Sequence, residues 1–242
     1  MNKSFYILLS LLLLTSCKSK LINIYLENQG VYDKHVSLHH LQNEKEKEII
    51  FIPLFHIGTQ EFYNDISSKI DSLDKQGFYF YYELVEVTNN DTILRKHKKI
   101  SGKPYGKTGN LDIINSLSNG KFKPKEKIIS QPNYSSLGLN KLNSKNVDIT
   151  LEEIVYLYEK KLGKIFLEPC DYETTLYELT VCNDIITKKN KEVLTDLRLN
   201  YRNQVVIKEI ISDSRQKIVI IYGKGHYEGI KEGLLKEGYI EN

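Results

Sequence analysis

The chain has no tryptophan, and only three of its 242 residues are cysteine. Those cysteines, at 17, 170 and 182, form no Cys-x-x-Cys pair, so neither a zinc knuckle nor a redox dithiol is suggested. Beyond the N-terminal segment no apolar run is long enough to cross a bilayer. Charge of neither sign predominates: 34 Lys and Arg against 31 Asp and Glu leave a net +3, which gives no electrostatic case for nucleic acid as a partner. The lysine-rich stretches at 95–99 and 121–127 read as solvated loops. No internal repeat is present, and the abundance of Tyr, Ile and Asn reads as compositional bias.

What is present begins at the N-terminus. A lysine near the start, an apolar stretch from Phe5 to Leu14 and small polar residues before Cys17 form the layout of a secretory signal over residues 1–16. Leu14-Thr15-Ser16-Cys17 resembles a bacterial lipobox, in which the cysteine becomes the new N-terminus and is acylated. Acyl chains at about 0.8 kcal/mol per buried CH₂ would tether the protein to a bacterial membrane, on its periplasmic or extracellular side. The alternative is an ordinary secreted protein with a free thiol. Residues 21–242 then form a single domain with a sizeable core. Outside the cytoplasm Cys170 and Cys182 could pair, and the sequence leaves a disulfide and two buried thiols equally open.

Short, partly alternating stretches at 21–26 and 35–41 predict strands. The apolar run Ile49–Phe55 predicts a strand buried on both faces. Thr59 is a plausible cap for a helix from Gln60 to about Leu73, with Phe62, Ile66 and Ile70 at spacing four, and Gly77 ends it before a second buried strand, 78–87. Strand, helix and strand predict a parallel crossover, hence an α/β fold with a mostly parallel sheet and flanking helices. Residues 89–149 read as a less regular, helical insertion. Helices are predicted over 151–162, about 172–182 and a long segment reaching Ser212, before a closing strand, a glycine-rich turn and a last helix.

Four features could carry chemistry. His56 follows the first buried strand, with Gly58 beyond it, and Glu83 falls in the second. In a parallel sheet the carboxyl ends of neighbouring strands face one crevice, so the two side chains could meet there. A carboxylate inside so apolar a run needs a cation or donors, unless it faces water at an edge. His226 follows Gly223-Lys224-Gly225 near the first turn of the last helix, where a neutral, metal-ligating imidazole is favoured. Arg202 and Asn203 sit within the stripe Leu199, Val206, Ile210; the arginine either snorkels to water or points a fixed cation into the crevice. His35, His39, His40 and His97 read as structural or surface residues.

With these pieces in place, the chain resembles the TraB/GumN family, which takes in the Tiki-type metalloproteases and is similar in pattern to erythromycin esterases and ChaN-like haem-binding lipoproteins. The stretches carrying the likeness are Pro53–Tyr63, Tyr81–Val87, Tyr201–Val206 and Ile221–Ile230. The resemblance implies His56, Glu83 and His226 as ligands of a divalent metal, manganese, cobalt or zinc, with Arg202 and Asn203 as polar partners and Gly58, Gly223 and Gly225 shaping the site. It departs at Pro53, where Tiki-type members have a glycine three residues before the histidine.

The implied activity is hydrolysis of an amide, peptide or ester bond. A metal-bound water would be the nucleophile, with Glu83 and Arg202 assisting and a peptide or small molecule as substrate. The alternative on the same fold is a lipoprotein that captures a peptide or haem without turnover.

Overall fold

The computed structural model describes residues 19–105, 111, 120, 122–178, 182 and 187–242. The signal segment and Cys17 lie outside the described residues.

The protein is an α/β fold built on a six-stranded mixed sheet. Its strands are β1 (His39–Asn43), β2 (Glu48–Leu54), β4 (Tyr79–Tyr82), β6 (Ser144–Asn146), β7 (Lys217–Gly223) and β8 (Tyr239–Glu241), in the order β6-β4-β7-β2-β1-β8. A separate two-stranded pairing joins β3 (Ile57–Gly58) to β5 (Ile129–Ser130). The run β6-β4-β7-β2 is parallel throughout, and β1 and β8 close one edge antiparallel.

Two-faced burial follows from the continuous apolar runs. Ile50, Ile52, Leu54, Val219 and Ile221 face α2 (Gln60–Lys75), where they meet Phe62, Ile66 and Ile70. The alternate residues Ile49, Phe51, Ile218, Ile220 and Tyr222 point the other way. They pack on Val206 and Ile210 of one helix (Arg202–Ser212) and on Ile230 and Leu234 of another (Tyr227–Lys236). Thr59 caps α2 by accepting from the Phe62 N–H at 3.1 Å.

Four sequence expectations change. Residues 19–29 form a helix, α1, not a strand, because Ile22 and Leu26 bury at spacing four against Val31, Tyr32 and Ile57. The second buried strand stops at Tyr82, so Glu83 stands just past its end, and the chain turns away to bridge Thr150 through Glu86. The 89–149 stretch is more regular than expected: it supplies β6, the outermost parallel strand, and α3 (Asp91–Ser101), capped by Asn90. Ile93, Leu94 and Ile100 of α3 pack on α4 (Leu151–Leu162).

Nor is the lysine-rich 95–99 stretch a solvated loop. It lies within α3, where the Lys98 ammonium donates to the Thr175 carbonyl and Lys99 pairs with Asp171 at 2.5 Å. Both lysines thus reach the loop that the Cys170–Cys182 disulfide closes. Where the sequence left thiol and disulfide open, the structure pairs them.

Candidate functional site

Parallel pairing puts the carboxyl ends of four strands on one edge of the sheet. Read across that edge, β6 leads two residues later to Asp148, β4 to Glu83, β7 to Gly223 and His226, and β2 to His56. This lateral order decides which groups can touch.

The floor of the site is a closed network. Glu83 Oε1 accepts from Arg202 Nη2 at 2.5 Å, and Oε2 accepts from the Gly223 N–H at 2.5 Å. Arg202 also grips Asp148 in bidentate fashion, Nε to Oδ1 at 2.8 Å and Nη2 to Oδ2 at 2.7 Å, and donates from Nη1 to the Arg198 carbonyl. His226 Nδ1 lies 2.6 Å from Asn203 Oδ1 and, since an amide oxygen only accepts, donates to it, while Nε2 faces Glu83 Oε1 at 3.5 Å. Tyr134 completes the floor by donating its hydroxyl to the Glu83 carbonyl at 2.6 Å.

Burial by itself would raise the Glu83 pKa. His226, the Arg202 charge and the Gly223 N–H together outweigh it and hold the carboxyl at about 2. On Arg202, burial favours deprotonation, but Asp148 and Glu83 overcome it and raise the pKa.

Two glycines make this closeness possible. A Cβ on Gly223 would stand 3.1 Å from Glu83 Oε2. On Gly229 it would fall 2.2 Å from Asn203 Nδ2, so the last helix can lie against Asn203 only with hydrogen there.

Above the floor opens a cleft of about 590 Å³ whose lining includes His56, Glu83, His97, Tyr105, Arg198 and Arg202. One wall is a relay. Arg198 Nη2 lies 2.9 Å from His97 Nε2, and because arginine only donates, that nitrogen is the acceptor. His97 Nδ1 then carries the proton toward the Tyr105 hydroxyl at 2.8 Å, and Tyr105 passes its own to the Leu94 carbonyl. Burial, reinforced by the Arg198 charge, pulls the His97 pKa down to about 3 and keeps it neutral. Arg198 and Arg202 both reach the cleft from a π-helical turn, Leu197–Tyr201, and the helix that continues it. Such turns are frequent at functional sites. His56 stands exposed in the cleft, with Nδ1 3.2 Å from Gln131 Oε1.

No protein-family model, no curated protein and no solved structure matches this chain.

Of the residues expected at a site, Glu83, Arg202, Asn203, His226 and Gly223 are in mutual contact on the floor. His56 shares the cleft with Glu83 but bonds to Gln131. The reason is topological: β7 lies between β2 and β4, so their ends are two strand spacings apart, roughly 9.6 Å, instead of adjacent. Among the described residues no three His, Cys, Asp or Glu side chains gather as they would around a metal ion. Both Glu83 oxygens are moreover held by protein donors. The arrangement therefore does not fit the three-ligand centre that the resemblance implies. Arg202 is likewise not a free cation in the crevice, because two carboxylates flank it. Gly58 is buried in β3 with Phe62 and Tyr63 against it, and Gly225 borders open space.

Sequence reasoning missed Asp148, Gln131, Tyr134 and Arg198, and misplaced His97. A signal existed for one of them: Arg198 is four residues before Arg202, hence on the same helical face. Asp148 and Gln131 sit in short irregular connections with no periodicity to expose them.

Proposed function

We propose that this chain is a hydrolase of the bacterial cell envelope, tethered at Cys17, that cleaves an ester or amide bond in the cleft with His56 as general base. The observation that carries this is a water-accessible imidazole, oriented by Gln131, at the carboxyl edge of a parallel sheet and in one cleft with Glu83. Donation from His56 Nδ1 to Gln131 Oε1 leaves Nε2 to take a proton from water as that water attacks the carbonyl. The Asp148–Arg202–Glu83 network holds three strand ends in place beneath the reacting carbonyl, and Asn203 orients His226 behind Glu83. The order of the four motifs, similar to that of the TraB/GumN family, supports a place in that group. The Cys170–Cys182 disulfide supports a location outside the cytoplasm. Glu83 already accepts from Arg202 and Gly223, so the reaction proposed runs on side chains alone and not through manganese, cobalt or zinc.

The test is steady-state hydrolysis of p-nitrophenyl esters and peptidyl p-nitroanilides by the full-length chain, beside His56→Ala and with chelator or divalent metal added. The expected result is turnover that falls about 10²- to 10⁴-fold in His56→Ala and is insensitive to chelator. Turnover unchanged by His56→Ala overturns the assignment. Turnover that appears only with added metal overturns the metal-free mechanism.

A second possibility is capture of a peptide or haem without turnover, favoured by the full engagement of both Glu83 oxygens. Absence of hydrolysis by the folded chain together with saturable binding of a peptide, or a haem absorption band, would select it.

A further inference from the structure

Charge is unevenly spread around the cleft. Glu83 is the only carboxylate among the described residues that line it, and Arg202 neutralises it. Arg198 and Lys103 also line it, and neither forms an ion pair within 4.0 Å among the described residues. Arg198 carries five N–H donors in a fixed fork. A single one is used on another side chain among the described residues, and its acceptor is a neutral imidazole. A guanidinium that packing has half buried ordinarily gains a carboxylate. Here the surroundings supply instead a second positive charge, Arg202, only about 6 Å of helical rise away and so within the reach of its field; Arg198 is accordingly easier to deprotonate than a free arginine, through burial first and the Arg202 charge after it.

The wall around Arg198 is built rather than incidental. His97 Nε2 pins one arm of the fork, Tyr105 fixes the His97 tautomer, and the Leu94 carbonyl fixes Tyr105. The Arg198 backbone is held from below by Arg202 Nη1 at 3.2 Å. His97 belongs to α3, whose Arg95, Lys98 and Lys99 grip the disulfide-closed loop. The guanidinium is thus aimed before any ligand arrives, which is the condition for planar, bidentate recognition of an oxyanion.

We propose that Arg198, with the exposed Lys103, is an oxyanion-binding subsite, so that the ligand of the cleft carries a carboxylate or phosphate group held at the Arg198 wall. The subsite is independent of turnover, since binding at Arg198 asks nothing of His56. It therefore stands or falls separately from the hydrolase assignment. The shared chemistry is a planar or tetrahedral oxyanion, and two probes separate the sources.

The test is titration of the folded full-length chain with inorganic phosphate and, separately, with acetate at constant ionic strength, followed by calorimetry and by the arginine Nε–H resonances in an NMR spectrum. The expected result is one saturable site for at least one probe, shifting the Arg198 resonance. Its affinity should fall at least tenfold in Arg198→Gln and about threefold in Lys103→Gln, a residue exposed enough for that variant to fold. Lys141→Gln, an exposed cation elsewhere, should leave it unchanged. Saturation by phosphate alone assigns a phosphorylated ligand, and by acetate alone a carboxylate. Absence of a saturable site for both probes, or an affinity in Arg198→Gln equal to that of the unmodified chain, overturns the proposal.

Discussion

Arg202 and Arg198 stand one helical turn apart, yet the regions they anchor are opposites. On the floor every charged group is spoken for: Arg202 lies between Glu83 and Asp148, Gly223 takes the second Glu83 oxygen, and Asn203 takes the inner nitrogen of His226. On the wall Arg198 meets only a neutral histidine among the described side chains. A buried ion network that is fully satisfied gives rigidity and a fixed register. A cation left with donors over is equipped to bind something else. The lesson is that the most buried and most connected charges of this protein hold the strand ends together, while the less connected ones face the ligand.

The largest effect expected from breaking that contrast is on stability. Arg202→Leu leaves two carboxylates buried without a cation and should cost about 3–5 kcal/mol in urea unfolding. Arg198→Gln should cost under about 1 kcal/mol, since it removes one hydrogen bond to a neutral partner. Equal losses would erase the distinction between floor and wall.

Acid offers the next test. Glu83 has its pKa depressed from 4.5 to about 2 in the folded protein. Its contribution is therefore fully present above the unfolded value and is lost as pH falls from about 4.5 through 2. The loss is of the order of 3 kcal/mol at the acid end. In Glu83→Gln the part of the acid destabilisation due to this group should vanish, and an unchanged stability–pH slope below 4.5 would sink the assignment.

The disulfide belongs to the wall alone. Replacing Cys170 and Cys182 by serine opens a loop of sequence separation 12. That should cost roughly 2–3 kcal/mol, seen as a lower thermal midpoint. The same variant should weaken oxyanion binding while leaving the floor resonances of His226 in place; movement of His226 instead would show the two regions to be one unit.

Smallest is Gly229→Ala, whose methyl would fall 2.2 Å from Asn203 Nδ2. Asn203 must then shift, at about 1–2 kcal/mol, and release His226 Nδ1. The readout is the His226 tautomer by ¹⁵N NMR, with a retained Nδ1–H pattern counting against the role given to Asn203.

Residue patterning alone determined a good deal. The apolar runs at 49–55 and 218–222 read as buried strands, and Thr59 and Gly77 mark helix boundaries that the structure keeps. The position of His56 past one strand, and of His226 at the head of the last helix, followed from the same local rules. Local pattern failed in two places: at 19–29, whose apolar spacing of four looked like alternation, and along α3, where the Lys98 ammonium reaches the Thr175 carbonyl and Lys99 the Asp171 carboxylate, partners distant in the chain.

Tertiary structure decided the rest. Strand order cannot be read from a single chain, because the partner of a strand is set by packing among all of them. Here β7, the last of the parallel strands in sequence, inserts between β2 and β4. That insertion separates His56 from Glu83, delivers His226 and Gly223 to Glu83 instead, and leaves Arg202 to bridge across to Asp148. Glu83 and Gly223, 140 residues apart in sequence, thereby come within hydrogen-bond distance, a contact that no local propensity encodes.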